Sequence, residues 1–300
     1  MKKKFRIIAF ILFFISIMGI STAFSKELSE PNNENAGISM TVDSKRNGKM
    51  PKRFRKASDK IESTEKTPNL TGLSDLKESG SAQFTPGNID MVKKAIGSKN
   101  IVVVDLRQES HGFINGWAVS WKKDGKNKAN KGLTKSQVLK TEEELLKSIK
   151  LNEPIEIKGK TIVPTEVQDE KQLVTKYDMK YVRIPVTDNE RPDDDMVDYF
   201  VNMVKTLPED TWFHFHCKAG IGRTTTFMAM YDMMKNAKKV SLEDIMERQT
   251  LIGGKEILKP ENGKKGNSQR RSDFLRNFYE YAKQNNDNFE TSWSKWLKSK

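Results

Sequence analysis

The chain has 300 residues, with 53 Lys and Arg against 40 Asp and Glu, for a formal net charge of +13. Its 36% hydrophobic and 31% charged residues suffice for one sizeable core and exclude a bundle of membrane helices. Cys217 is the one cysteine, which excludes an intramolecular disulfide framework and a Cys-rich zinc site and leaves a lone thiol to be explained.

At the N-terminus, Lys2, Lys3, Lys4 and Arg6 precede an apolar run over residues 7–20 and the small residues Ser21, Thr22, Ala23 and Ser25. This order predicts a signal peptide over residues 1–25 cut near Ser25, hence a secreted or extracytoplasmic protein with no stable membrane anchor after cleavage. The apolar run is shorter than the ~20 residues needed to span a bilayer. A chain beginning at Lys26 would carry +9, and a secreted protein without disulfides points to a bacterial source. Residues 26–59 are polar and are expected to form a flexible lead-in.

A short helix is predicted over 88–96, ending at Gly97, followed by a buried strand over 100–105 (Asn-Ile-Val-Val-Val-Asp). Between 121 and 167 the pattern changes to a Lys-rich loop, a helix over 141–150 capped by Thr141 and Glu144, and strand-like pieces at 155–157 and 161–163. This reads as a small, partly β inserted domain. The main domain, 60–120 and 168–288, resumes with a helix near 166–177 and a strand at 180–186. A helix then opens at Pro192 with Asp193, Asp194 and Asp195 in its first turn, before a strand at 211–216. Helices near 223–236, 241–251 and 272–285 complete it, and 289–300 is read as a tail. Alternating strands and helices predict an α/β fold with a central, mostly parallel sheet flanked by helices.

The informative segment is His216-Cys217-Lys218-Ala219-Gly220-Ile221-Gly222-Arg223-Thr224, which runs from a strand through a Gly-containing loop into a helix. Small residues there let successive backbone N–H groups turn inward at the positive end of a helix dipole, a cradle for phosphate. Arg223 supplies a planar, permanently charged fork for two phosphoryl oxygens. The same field favours the thiolate of Cys217. A nucleotide-binding loop does not match, because no Gly-Lys-Ser/Thr follows the glycines.

The segment resembles the active-site signature of protein tyrosine phosphatases. With Asp105-Leu106-Arg107-Gln108-Glu109-Ser110-His111-Gly112-Phe113-Ile114-Asn115-Gly116 and Thr187-Asp188-Asn189-Glu190-Arg191-Pro192, the chain is similar over roughly 51–285 to the bacterial tyrosine-phosphatase-like inositol phosphatases, or cysteine phytases. The resemblance implies a phosphatase domain with a small added β domain that acts on phosphorylated inositols without metal or other cofactor. It makes Cys217 the nucleophile that forms a cysteinyl-phosphate, with Arg223 and the amides of Lys218, Ala219, Gly220, Ile221 and Gly222 holding phosphoryl oxygens. Thr224 would assist the thiolate, and His216 would act as a hydrogen-bonding support. For the general acid, local sequence leaves Asp188, Glu190 and Asp193 open, and the resemblance favours Asp188 on a mobile loop.

A densely anionic substrate calls for a basic rim. Candidates are Arg55, Arg107, Lys218, Lys264, Lys265, Arg270 and Arg271, with Arg55 best supported by the resemblance; Asp105 and His111 are expected to organise the site or touch substrate. Lys218 stands where many tyrosine phosphatases have Ser, which favours extra phosphate binding, and Asn189 stands where these phytases often have His. Two other readings remain: a secreted tyrosine or dual-specificity phosphatase acting on phosphoproteins, and a non-catalytic binder of polyanions. The expected partner is a small polyphosphorylated molecule such as inositol hexakisphosphate, not nucleic acid.

Overall fold

The computed structural model describes residues 37–62, 67–259 and 266–300, so the expected signal peptide lies outside the described residues. In chain order the first strands and helix are β1 (Ile38–Ser44), β2 (Arg55–Lys56), β3 (Glu78–Ala82) and α1 (Ile89–Ile96). They are followed by β4 (Ile101–Arg107), β5 (His111–Ile114), β6 (Trp117–Lys123), α2 (Lys135–Lys147), β7 (Ile155–Ile157), β8 (Lys160–Ile162) and β9 (Val167–Gln168). Then come α3 (Glu170–Lys176), β10 (Lys180–Val186), α4 (Asp194–Thr206) and β11 (Trp212–Cys217), and finally α5 (Gly222–Asn236), α6 (Leu242–Leu251), α7 (Asn267–Gln284) and α8 (Trp293–Lys298).

The central sheet has the order β10-β4-β11-β3-β2, parallel throughout except for the antiparallel edge strand β2. Every residue of β4 is buried, as its continuous apolar run requires of a strand covered on both faces. Val102, Val104 and Leu106 face one core with Phe200 of α4, Phe227 of α5, Ile245 of α6 and Phe278 of α7; Ile101 and Val103 face a second with Val92 of α1 and Val174 of α3. This parallel order puts the C-terminal ends of β4, β10 and β11 side by side, the end of an open parallel sheet at which ligand sites form as a rule.

β3, with the sequence Glu-Ser-Gly-Ser-Ala, carries no large apolar residue and was not anticipated. Its small side chains let α5 come close: a Cβ on Gly80 would lie 2.6 Å from Met228 Sδ and 2.7 Å from Thr224 Cγ2.

A second, antiparallel sheet has the order β1-β6-β5-β9. It extends past the stretch 121–167 read as an insertion, since it also takes in β5 and β1. β1 is a correction to the lead-in: Ile38, Met40 and Val42 alternate with Ser39, Thr41 and Asp43, a period-two pattern that pairs with β6. The helix of this region is capped at Thr134, whose side chain and Gln137 form a reciprocal capping box, and not at Thr141. That frame buries Val138, Glu142 and Leu146 at i, i+4 and i+8. The expected tail is also structured, because α8 places Trp293, 2% exposed, among Phe274, Phe278 and Tyr281. None of the described helices is long and apolar enough to cross a membrane.

Candidate active site

β11 is the middle strand of the sheet, and Cys217 is its last residue, beside Ala82 of β3. The chain then makes a tight loop and enters α5 at Gly222. Three successive loop carbonyls are taken from behind: Gln83 N donates to Lys218 O at 3.3 Å, Arg53 Nη1 to Ala219 O at 3.1 Å and Arg55 Nη1 to Gly220 O at 2.9 Å. In a trans peptide the C=O and the following N–H point in opposite directions. The N–H groups of Ala219, Gly220 and Ile221 are thereby turned into the concavity, an anion nest at the N-terminus of α5.

Gly220 has φ +69°, and a Cβ there would sit 2.4 Å from Ala82 N and 2.5 Å from Ser81 C, both backbone atoms. Gly220→Ala is expected to cost more than about 1 kcal/mol, read as a lowered midpoint in thermal or urea unfolding.

Cys217 is 2% exposed and accepts a hydrogen bond from Thr224 Oγ1 at 3.2 Å. Burial pushes its thiol up, but Arg223, the Thr224 hydroxyl and the amides of Thr224 and Ala219 outweigh this and hold it below the ordinary thiol range.

Arg223 is gripped by the buried carboxylate of Glu109, with Nη1 to Oε2 at 2.7 Å and Nη2 to Oε1 at 3.0 Å, and also donates to Val186 O at 3.0 Å. Glu109 in turn accepts from Arg107 Nε at 3.0 Å. Burial would raise the Glu109 carboxyl, yet the two guanidiniums hold it far below the usual carboxylate range.

Asp188 follows β10. Its Oδ1 lies 3.2 Å from Arg223 Nη2, and its Oδ2 accepts from Asn127 Nδ2 at 3.1 Å. Its two sequence rivals are placed differently: Glu190 is paired with Lys128 and Lys131, and Asp193 is the N-cap residue of α4.

Several expected rim residues lie behind the loop instead. Arg107, fully buried, donates to Gln83 Oε1 at 2.6 Å, to Asp43 Oδ2 at 2.8 Å and to Glu109, so its charge supports the site from below. Arg55 is 3% exposed and braces Gly220 O and Thr225 Oγ1.

Asp105 and His111 face the interior: Asp105 Oδ2 meets Arg183 Nη1 and Tyr181 OH, both at 2.7 Å, and His111 Nε2 at 3.1 Å. His111 also contacts Glu109 O and Glu170, and Asp105 and Glu142 hold its imidazolium well above the ordinary range although burial opposes it. Asp105, His111 and Glu170 come within 4.8 Å of one another, a set that could hold a cation, but Arg183 and His111 already balance that negative charge. His216 is buried, with its Nε2 2.6 Å from Glu170 Oε1.

At the mouth, Lys218 Nζ is directed to Asp43 Oδ1 at 2.7 Å and Asn127 Oδ1 at 3.2 Å. Arg271 of α7 reaches the start of α5: its Nη1 would lie 2.6 Å from a Cβ on Gly222, and Nη2 donates to Glu190 O at 2.8 Å. Arg270 is exposed, and Lys264 and Lys265 lie outside the described residues. Sequence reasoning missed Asp43, Asn127, Glu109 and Glu170. Asp43 lies on an alternating strand and Glu109 within the segment 105–116 that carries the resemblance, whereas Asn127 and Glu170 had no local signal.

Comparison with known proteins gives a consistent picture. A family model described as PTP-like phytase, inositol hexakisphosphate, matches residues 104–235. The solved structure of a PTP-like phytase from Bdellovibrio bacteriovorus is 34% identical, with a TM-score of 0.74, over 87% of this chain and 94% of that one. The tandemly repeated protein tyrosine phosphatase-like phytase from Mitsuokella multacida is 36% identical, with a TM-score of 0.80, over 90% of this chain and 50% of that one. A PTP-like myo-inositol phosphatase from the same organism, solved in complex with myo-inositol-(1,3,4,5)-tetrakisphosphate, is 35% identical, with a TM-score of 0.79, over 87% of this chain and 49% of that one. Effector protein hopD2 of Pseudomonas syringae pv. tomato is 30% identical over 249 residues, 75% of this chain and 52% of that protein. The chain thus spans about half the length of hopD2 and of the Mitsuokella proteins.

Proposed function

Because the chain belongs to the protein tyrosine phosphatase-like phytase family, we propose that it hydrolyses phosphomonoesters of myo-inositol polyphosphates, phytate included, through a cysteinyl-phosphate. The observation that carries this reading is the juxtaposition of a thiol favoured as thiolate, an arginine fixed by Glu109, and a carboxylate 3.2 Å from that arginine. In the first half-reaction Cys217 Sγ forms a bond to phosphorus as the P–O bond to the inositol carbon framework breaks. The departing oxygen takes a proton from Asp188, leaving a neutral alcohol and a carboxylate. Equatorial oxygens are held by Arg223 and by the amides of Ala219, Gly220 and Ile221, already oriented before substrate arrives. In the second half Asp188 accepts a proton from water, the water oxygen bonds to phosphorus, the S–P bond breaks, and inorganic phosphate leaves with the thiolate restored. Thr224 stabilises that thiolate as leaving group.

The bound phosphoryl group and Asp188 compete for the outer edge of Arg223, so binding releases the acid to face the leaving oxygen. Arg271 and Lys218, at the mouth, are the cations placed to meet further phosphates. Export rests on the charged start, apolar run and small residues of 1–25.

Phosphate release from phytate, measured against release from a phosphotyrosine peptide with and without chelator, tests the reading. Faster turnover of the peptide would transfer it to phosphoproteins. Asp188→Asn is expected to lower turnover of phytate by ~10²–10⁴-fold; a near wild-type rate would remove Asp188 from its role.

A further inference from the structure

Asn127 lies in the loop between β6 and α2, within the stretch read from sequence as an accessory insertion. Its side-chain amide is held at both ends. Oδ1 accepts from Lys218 Nζ at 3.2 Å, and Nδ2 donates to Asp188 Oδ2 at 3.1 Å. An ammonium can only donate, so Lys218 sets which way the amide faces and leaves the NH₂ for Asp188. Lys218 is itself fixed by Asp43 Oδ1 at 2.7 Å.

From this geometry we propose that Asn127 is a positioning residue for the general acid, one that determines which carboxyl oxygen carries the proton. The inference rests on Asp188 being that acid. A carboxyl oxygen that accepts an amide N–H stays the acceptor of the pair, and the O–H forms on the other oxygen. Asn127 occupies Oδ2, with Asn189 Nδ2 adding a longer contact to it at 3.4 Å. Oδ1, 3.2 Å from Arg223 Nη2, is the oxygen left without a donor once the bound phosphoryl group takes that edge of the arginine, and it is then free to carry the proton. The proton is thereby placed on the oxygen that faces the leaving group. The chain Asp43, Lys218, Asn127, Asp188 also ties the acid to the phosphate loop, so the inserted region contributes to the chemical step.

The test is the leaving-group dependence of Asn127→Ala, measured with phytate and with p-nitrophenyl phosphate, whose phenolate departs with little need of a proton. Asn127→Ala is expected to lower kcat on phytate by ~10–100-fold, part of the full contribution of a general acid, while kcat on p-nitrophenyl phosphate changes by less than about threefold. Asn127→Asp, equal in volume but without the donor, is expected to show the same selective loss, and Asn127→Gln to recover part of it. Equal loss on both substrates, or no loss on phytate, would overturn the proposal. Asn127 is partly exposed in a loop, and the p-nitrophenyl phosphate rate reports whether each variant is folded. The wild-type protein alone decides the phosphatase reading, and failure to release phosphate from phytate would end both readings; the ratio of variant to wild type decides the role of Asn127.

Discussion

Cys217→Ser is expected to abolish phosphate release from phytate while leaving phytate binding intact. A serine hydroxyl in the same place lacks the acidity that lets the loop field ionise a thiol, so the nucleophile is lost. The groups that hold anion are untouched: Arg223 remains gripped by Glu109, and the amides of Ala219, Gly220 and Ile221 stay turned inward by the donors behind the loop. Calorimetric titration with phytate, together with a phosphate-release assay, separates the two properties. If turnover survived the substitution, the protein would use another nucleophile; phytate binding without turnover in wild type and variant alike would make it a polyanion binder. A companion measurement follows from the lowered thiol pKa: Cys217 is expected to be alkylated by iodoacetamide at pH values where an ordinary thiol is protonated and slow. Arg223 is the largest influence lowering that pKa, burial opposing it, so removing its charge should move the alkylation profile to higher pH.

The second large effect is expected for Arg223→Lys, which keeps the charge and removes the fork. An arginine stabilising a transferring phosphoryl group is worth ~10³–10⁵ in rate, and a loss of that order in kcat is expected here. Lysine cannot reproduce two parallel N–H bonds to Glu109 and still present donors to phosphate. The Glu109 carboxylate is fully buried and would keep Arg107 as its other partner, so the variant should fold with a lowered thermal midpoint. A variant within tenfold of wild type would show that the loop amides alone support the transition state. Glu109→Gln should lose less than Arg223→Lys, because the arginine is still there but less firmly aimed.

The resemblance and the geometry meet at Cys217, Arg223 and Thr224, where each residue lies in one continuous segment. A strand, a tight loop and a helix are local structure, and their order along the chain dictates that the thiol ends a strand and the arginine begins a helix. The same holds for β4, whose apolar run identifies a strand buried on both faces, and for β10 and β11, strands recognised by their alternation with helices along the chain. β3 could not be found this way, since Glu-Ser-Gly-Ser-Ala has no apolar pattern; it is a strand through its pairing with β11 and β2, and its small residues admit α5. α8 was read as tail because six residues with two tryptophans carry too short a pattern, and its place depends on the aromatic cluster formed with α7.

Which basic residue points where is a different kind of question. Charge and composition announced a basic protein, but Arg107 and Arg55 proved to be buried braces, and Lys218 is held by Asp43 from a strand 175 residues earlier in the chain. Direction depends on the partner a long side chain finds, and that partner comes from wherever the sheet order brings it. The sequence by itself determined the strand, tight loop and helix that carry Cys217 and Arg223, and the α/β character, because these are set by neighbours along the chain. Only the tertiary structure decided that Glu109 fixes Arg223, that Asp188 faces it while Glu190 and Asp193 do not, and that Asn127 reaches in from the second sheet's loop. A buried charge must find its counter-charge across space, and no local pattern records where that will be.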